Sequence, residues 1–162
     1  MPKGLAMTLR RLAIALFASL LASTAQATCW QAAGSRYHID PLLLYAIAKV
    51  ESGLNPGARN LNRDGSYDIG LMQINSRHLP RLAAYGIDEH SLQSQPCTSV
   101  MVGAWILAEF IRQSGYGWHA VGAYNAGTRP QGDARRARYA EAVWRYYGQL
   151  SLARQQRAVP TP

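Results

Sequence analysis

From Asp40 to Gly53 the chain reads DPLLLYAIAKVESG, a strongly apolar run marked at both ends. Asp40 can accept hydrogen bonds from free backbone N–H groups at a helix start. Pro41 suits the first helical position, and Gly53 suits the left-handed residue that closes a helix. Leu44, Ile47 and Ala48 stand seven, four and three residues before Glu51, so at helical spacing they share its face, while Lys49 points the other way. A fold that buries this stripe must take a carboxyl in with it. Burial disfavours the ionised form, and the negative end of the helix dipole acts in the same sense, so the pKa of Glu51 is expected to rise. A carboxyl kept protonated near neutral pH is what a general acid requires. The plain alternative is a surface glutamate in the last helical turn.

The chain has 162 residues, enough for one domain once the ends are set aside. Lys3, Arg10 and Arg11 precede an apolar run from Leu12 to Ala22, and Ala25-Gln26-Ala27 supplies small residues at cleavage spacing. Residues 1–27 thus read as a secretory signal peptide; the run is too short to span a bilayer comfortably. Gln26 and Thr28 do not suit a lipid anchor on Cys29. The expectation is an exported, periplasmic, monomeric protein with no stable membrane insertion. In an oxidising compartment Cys29 and Cys97, the only two cysteines, are expected to pair. That leaves neither thiol for metal binding or nucleophilic chemistry. His38, His78, His90 and His119 are scattered without metal-ligand spacing, so no metal and no cofactor is expected.

Of 17 basic residues three leave with the leader, so fourteen face nine acidic ones, a net +5 that suits an anionic polymer such as the bacterial wall. Arg135, Arg136 and Arg138 lack the interleaved aromatics of a nucleic-acid module and read as a solvated helix face, with no nucleic-acid partner.

Along the rest of the chain the periodicity is helical. Residues 29–38 make a short first helix, Ser76 caps a segment through Tyr85, and Pro96 to Gln113 forms a long central helix with Val100, Ala104, Leu107 and Ile111 on one stripe. A further helix runs from Trp118 to Asn125, and RRARYAEAVWRYYGQL is a last amphipathic one. Between residues 55 and 75 the helical period is lost, and RDGS makes a turn among short strands or an extended loop. The predicted fold class is mostly α (α+β), one domain over residues 28–150 followed by a polar tail, 151–162, expected to be disordered.

Four motifs occur in order: Glu51-Ser52-Gly53 with Asn55-Pro56, then GLMQIN from Gly70 to Asn75, then AYNAG from Ala123 to Gly127, and finally Tyr139. Together they resemble the soluble lytic transglycosylase domain over nearly all of residues 29–148. The size, the leader and the two cysteines are most similar to the small specialised members that accompany conjugative pili and type III or type IV secretion machines. The resemblance implies a lysozyme-like fold that cleaves peptidoglycan glycan strands between N-acetylmuramic acid and N-acetylglucosamine. It implies that Glu51 is the acid/base, and that Ser52 helps hold substrate or orient Glu51. Gln73 and Asn75 would bind acetamido groups, Tyr124 and Asn125 would line the cleft, and Tyr139 would reach the catalytic carboxyl. Each has a plainer reading: a helix-end hydrogen bond for Ser52, backbone pairing in a turn for Gln73 and Asn75, a core tyrosine and a capping asparagine for Tyr124 and Asn125. Met72 is read as core.

If the substrate's own C6 hydroxyl attacks the anomeric carbon, one carboxyl suffices and the product carries a 1,6-anhydro end. One stretch departs from the larger family members. RDGSYDIGLMQINSR is similar to the part of animal C-type lysozymes that carries their second carboxylate, and Asp68 stands in its place. A hydrolytic muramidase using Glu51 and Asp68 is therefore an alternative, with Asp68 otherwise a turn residue. A non-catalytic wall-binding assembly module is the second alternative.

Overall fold

A computed structural model describes residues 29–158; the leader expected over residues 1–27 lies outside the described residues, as do Thr28 and the last four residues. Helix α1 covers residues 29–37 and leads through Asp40 into α2, Pro41–Ser52. The local signals in the sequence account for α2 in full. The Asp40 carboxylate accepts from Leu42 N at 2.9 Å, and Gly53 closes the helix at φ 64°, its N–H donating to Lys49 O. Leu43, Leu44, Ala46, Ile47 and Ala48 are buried, and truncating a fully enclosed leucine such as Leu44 would destabilise by about 2–5 kcal/mol.

Three short strands follow, β1 Arg59–Leu61, β2 Tyr67–Ile69 and β3 Ile74–Asn75, in antiparallel order β1-β2-β3. The register pairs Asp68 with Asn60 on one side and with Asn75 on the other. Gly70 follows β2 at φ 72°, where an added Cβ would stand 2.4 Å from Leu92 O. Both its backbone conformation and its surroundings require glycine.

A 3₁₀ turn at Ser76–His78 opens onto α3, Leu79–Ala83, and then α4, Glu89–Ser94. The cap of this segment is Asn75, whose side chain accepts from Arg77 N, and not Ser76, whose hydroxyl instead accepts from Tyr67 N in β2. The sequence reading passed over α4. Its signal is local, a reciprocal capping box between Asp88 and Ser91.

The long helix α5, Pro96–Ser114, supplies the middle of the core, and Val100, Ala104 and Leu107 are buried as the stripe predicts, with Ile111 at its margin. Met72 is buried against α5 opposite Gly103, where a Cβ would come within 2.7 Å of Met72 Cε. Buried Ser99 accepts from Met72 N at 3.1 Å, so the floor of the sheet region is tied to α5 by packing and by hydrogen bond. Helix α6, Trp118–Ala126, turns at Gly127 through a 3₁₀ segment, Pro130–Gly132, into α7, Asp133–Ala158.

Residues 151–158 are helical, where a disordered tail was expected from polarity. Alanine, leucine, arginine and glutamine are good helix formers, and SLARQQRA simply extends α7 without a breaker. A disulfide joins Cys29 in α1 to Cys97 in the first turn of α5, 68 residues apart. Among the described residues no helix is long and apolar enough to cross a membrane.

Candidate active site

The C-terminal end of α2, the β1–β2 turn with strands β2 and β3, the corner between α6 and α7, and part of α5 enclose an open cleft of about 960 Å³. Glu51, Asp68, Gln73, Asn75, Tyr124 and Asn125 all line it. Tyr139 approaches from α7, 88 residues away in sequence, and its hydroxyl donates to Glu51 Oε1 at 2.5 Å.

Burial pushes the Glu51 carboxyl up from 4.5 to about 7; the Tyr139 hydrogen bond, which favours the ionised form, works against this, and the negative charge of Asp68 adds to it. The expectation from helical spacing is thus met by the fold, and the carboxyl can hold or release a proton near neutral pH. Tyr139 and Tyr124 are themselves held well above the ordinary tyrosine range, first by burial and then by the charge of Glu51, so both remain hydroxyl donors.

Asp68 is held from two sides. Asn75 Nδ2 donates to its Oδ1 at 2.8 Å and Asn62 Nδ2 to its Oδ2 at 3.1 Å. The strand register explains the first contact, since Asn75 is the cross-strand partner of Asp68 and projects on the same face. Both amides also reach Ser66 Oγ at 3.2 Å, and the Ser66 hydroxyl in turn donates to Asp64 Oδ1 at 2.6 Å. Asn62 and Ser66 were missed from sequence. Ser66 lies two residues before Asp68 and so shares its face, a signal that becomes legible only once β2 is recognised.

Several residues read as substrate contacts are committed to the protein itself. Ser52 Oγ donates to Leu71 O at 2.8 Å and accepts from Asn55 N, which ties the end of α2 to the GLMQI segment; it does not line the cleft. Gln73 adopts φ 49° and its amide nitrogen donates to Gly70 O and Ala58 O, while its oxygen accepts from Asn60. Both donors of Asn75 and its capping oxygen are likewise in use. The amides of Gln73 and Asn75 shape the wall of the cleft, and the donors assigned to acetamido groups are spent. Tyr124 donates to Met72 O at 2.8 Å. Asn125 is the exception: it is exposed in the cleft, and among the described residues its side chain makes no hydrogen bond.

The arginine cluster divides. Arg138 is solvated and Arg135 lines the cleft, but Arg136 is only 5 % exposed. Its guanidinium donates to Gly127 O and Arg129 O, each at 2.8 Å, and pairs with Asp133. Gly122 lets α6 approach the backbone of α7 at Arg136, and Gly132 leaves room for the guanidinium, since a Cβ at either would collide with this residue. Among the described residues no group of three or more His, Cys, Asp or Glu side chains is placed to hold a metal.

The Tyr139–Glu51 contact yields a measurable expectation. Tyr139→Phe removes the bond that favours ionised Glu51, so the alkaline limb of the pH–rate profile should move upward by about one pH unit. An unmoved limb would reduce Tyr139 to packing.

The family described as the transglycosylase SLT domain matches residues 28–147. The invasion protein IagB of Salmonella typhimurium is 52% identical over 128 residues, covering 79% of this chain and 80% of the relative. Protein IpgF of Shigella flexneri is 48% identical over 131 residues, covering 81% and 86%. The X polypeptide of Escherichia coli is 43% identical over 123 residues, covering 75% and 73%. Among solved structures, an inactive mutant of the lytic transglycosylase Slt from Pseudomonas aeruginosa superimposes with a TM-score of 0.60 at 22% identity. It matches 80% of this chain, which spans a quarter of that larger one. The fold is the mostly α, lysozyme-like one that the four motifs imply.

Proposed function

The chain belongs to the transglycosylase SLT domain family, and from that membership we propose that it is a peptidoglycan lytic transglycosylase. It cleaves the β-1,4 bond between N-acetylmuramic acid and N-acetylglucosamine and leaves a 1,6-anhydro end. The observation that carries this reading is Glu51, lifted to about 7 by burial on an open cleft and held by Tyr139. Glu51 gives its proton to the departing glycosidic oxygen. It then takes the proton of the C6 hydroxyl as that oxygen closes on the anomeric carbon, so the two transfers balance with one carboxyl and no cofactor. Asp68, aimed by Asn62 and Asn75, stabilises the positive charge that develops on the sugar ring.

A hydrolytic outcome is the second reading, because Asp68 supplies a second carboxylate on the same cleft. The family's motif set favours the intramolecular route. We place the protein in the periplasm, opening the wall for a secretion or conjugation apparatus. The leader-like sequence supports the first part, and the name of the Salmonella relative, an invasion protein, is in keeping with the second.

Digestion of purified wall followed by mass spectrometry of the released fragments tests the assignment. Predominantly 1,6-anhydro ends are expected, and reducing ends as the main product would make the protein a muramidase. In the same assay Asp68→Asn should lower the rate by roughly tenfold to a hundredfold. Full activity in that variant would return Asp68 to an ordinary strand residue.

A further inference from the structure

The corner between α6 and α7 presents two cations to the cleft with no acid to neutralise them. Arg129 and Arg135 line the cleft, both are exposed, and neither forms an ion pair among the described residues. On the strand side Arg63 also lines the cleft without an ion pair among the described residues, but Arg77 is matched by Asp64 at 2.9 Å and Asp68 adds a second carboxylate. Positive charge is therefore weighted toward the helix side.

The corner is also braced. Buried Arg136 holds the carbonyls of Gly127 and Arg129, and Arg135 leans on Ala126 O at 3.5 Å. A buried guanidinium spanning two carbonyls fixes the backbone from which Arg129 projects, so less ordering entropy opposes a contact made there. Arginine's planar fork matches a carboxylate with two parallel hydrogen bonds.

We propose that Arg129 and Arg135 bind carboxylates of the peptide stems borne by the glycan strand, so that the cleft selects stem-bearing strands over neutral ones. The inference rests on the glycan-cleaving reading above and names the part of the substrate that this side recognises. A strand offers carboxylates from two sources, the stem peptides and the lactyl group exposed when stems are removed. The lactyl carboxylate sits close to the sugar ring. Stem carboxylates stand off from it and can reach two side chains that are exposed to solvent, as Arg129 and Arg135 are.

The test compares three forms of one purified strand: stems intact, stems removed to leave lactyl carboxylates, and stems intact with their carboxylates converted to carboxamides. Cleavage should be fastest on the first and lower by roughly tenfold on the other two, the worth of a lost charge-assisted contact. Rising salt should narrow the gap. The double variant Arg129→Gln with Arg135→Gln should lose the advantage of intact stems, cleaving that form no faster than the carboxamide form, whereas Arg138→Gln, outside the cleft, should discriminate as wild type does. Equal rates on intact and stripped strands would overturn the stem assignment, and a double variant that still discriminates would remove the two arginines from it. Equal rates on all three forms would sink the inference alone. Absence of cleavage on every form would sink the glycan-cleaving reading, and the inference with it.

Discussion

Glu51→Gln is expected to lower glycan cleavage at least about a hundredfold while raising stability in alkaline buffer. The two effects share one cause. The fold holds the Glu51 carboxyl at about 7 against an ordinary 4.5, so the folded state binds the proton more tightly than the unfolded chain does. Its contribution to stability is fully present below pH 4.5, declines as pH rises, and is lost once pH passes about 7. The difference corresponds to about 3 kcal/mol above pH 8. Glutamine keeps the shape and can still accept from Tyr139, but it has no proton to transfer and no charge to bury. Melting curves of the two proteins should coincide near pH 4 and separate at pH 8.5, with the variant higher. Wall binding should survive. Near-normal glycan release would mean that the acid lies elsewhere, and coincident melts at pH 8.5 would mean that Glu51 is not buried as an ion.

The second large effect is on the disulfide. Removing it with Cys29→Ser and Cys97→Ser frees a loop whose ends lie 68 residues apart, worth about 4 kcal/mol in the chain-entropy account. The bridge fastens α1 to the first turn of the helix that runs through the core. Chemical denaturation of the double variant should show the loss. A change below about 1 kcal/mol would show that α1 is held by its own packing, and labelling of two free thiols in the untreated protein would show that the bridge does not form.

How much of this was legible in the sequence depended on how far apart the determining residues lie. Helix α2 was readable to its ends because Asp40, Pro41 and Gly53 act within a few residues of the segment they bound. Glu51 was readable for the same reason: the apolar residues three, four and seven positions before it mark the buried face of α2. The strands were harder. With three, three and two residues they are too short to display an alternation, and their register comes from pairing that no local pattern encodes. Without the register, Asn75 reads as a free amide and Asn62 as a loop residue, while both in fact grip Asp68. Arg136 was misread because its burial depends on space left by Gly122, fourteen residues before it, and on carbonyls across a turn. In α7 the polar composition masked good helix formers that needed only an already formed helix to extend.

Helix α7 also fixes where the protein can be held. It starts at the cleft, touches Glu51 through Tyr139, and runs on to Ala158. At 1.5 Å per residue, the nineteen residues from Tyr139 to Ala158 carry the chain roughly 28 Å along the helix axis from the reacting groups. A label, surface or fused domain joined there would sit at the far end of a stiff spacer. Immobilised through that end, the enzyme would keep its cleft open to a polymer far too large to diffuse to it.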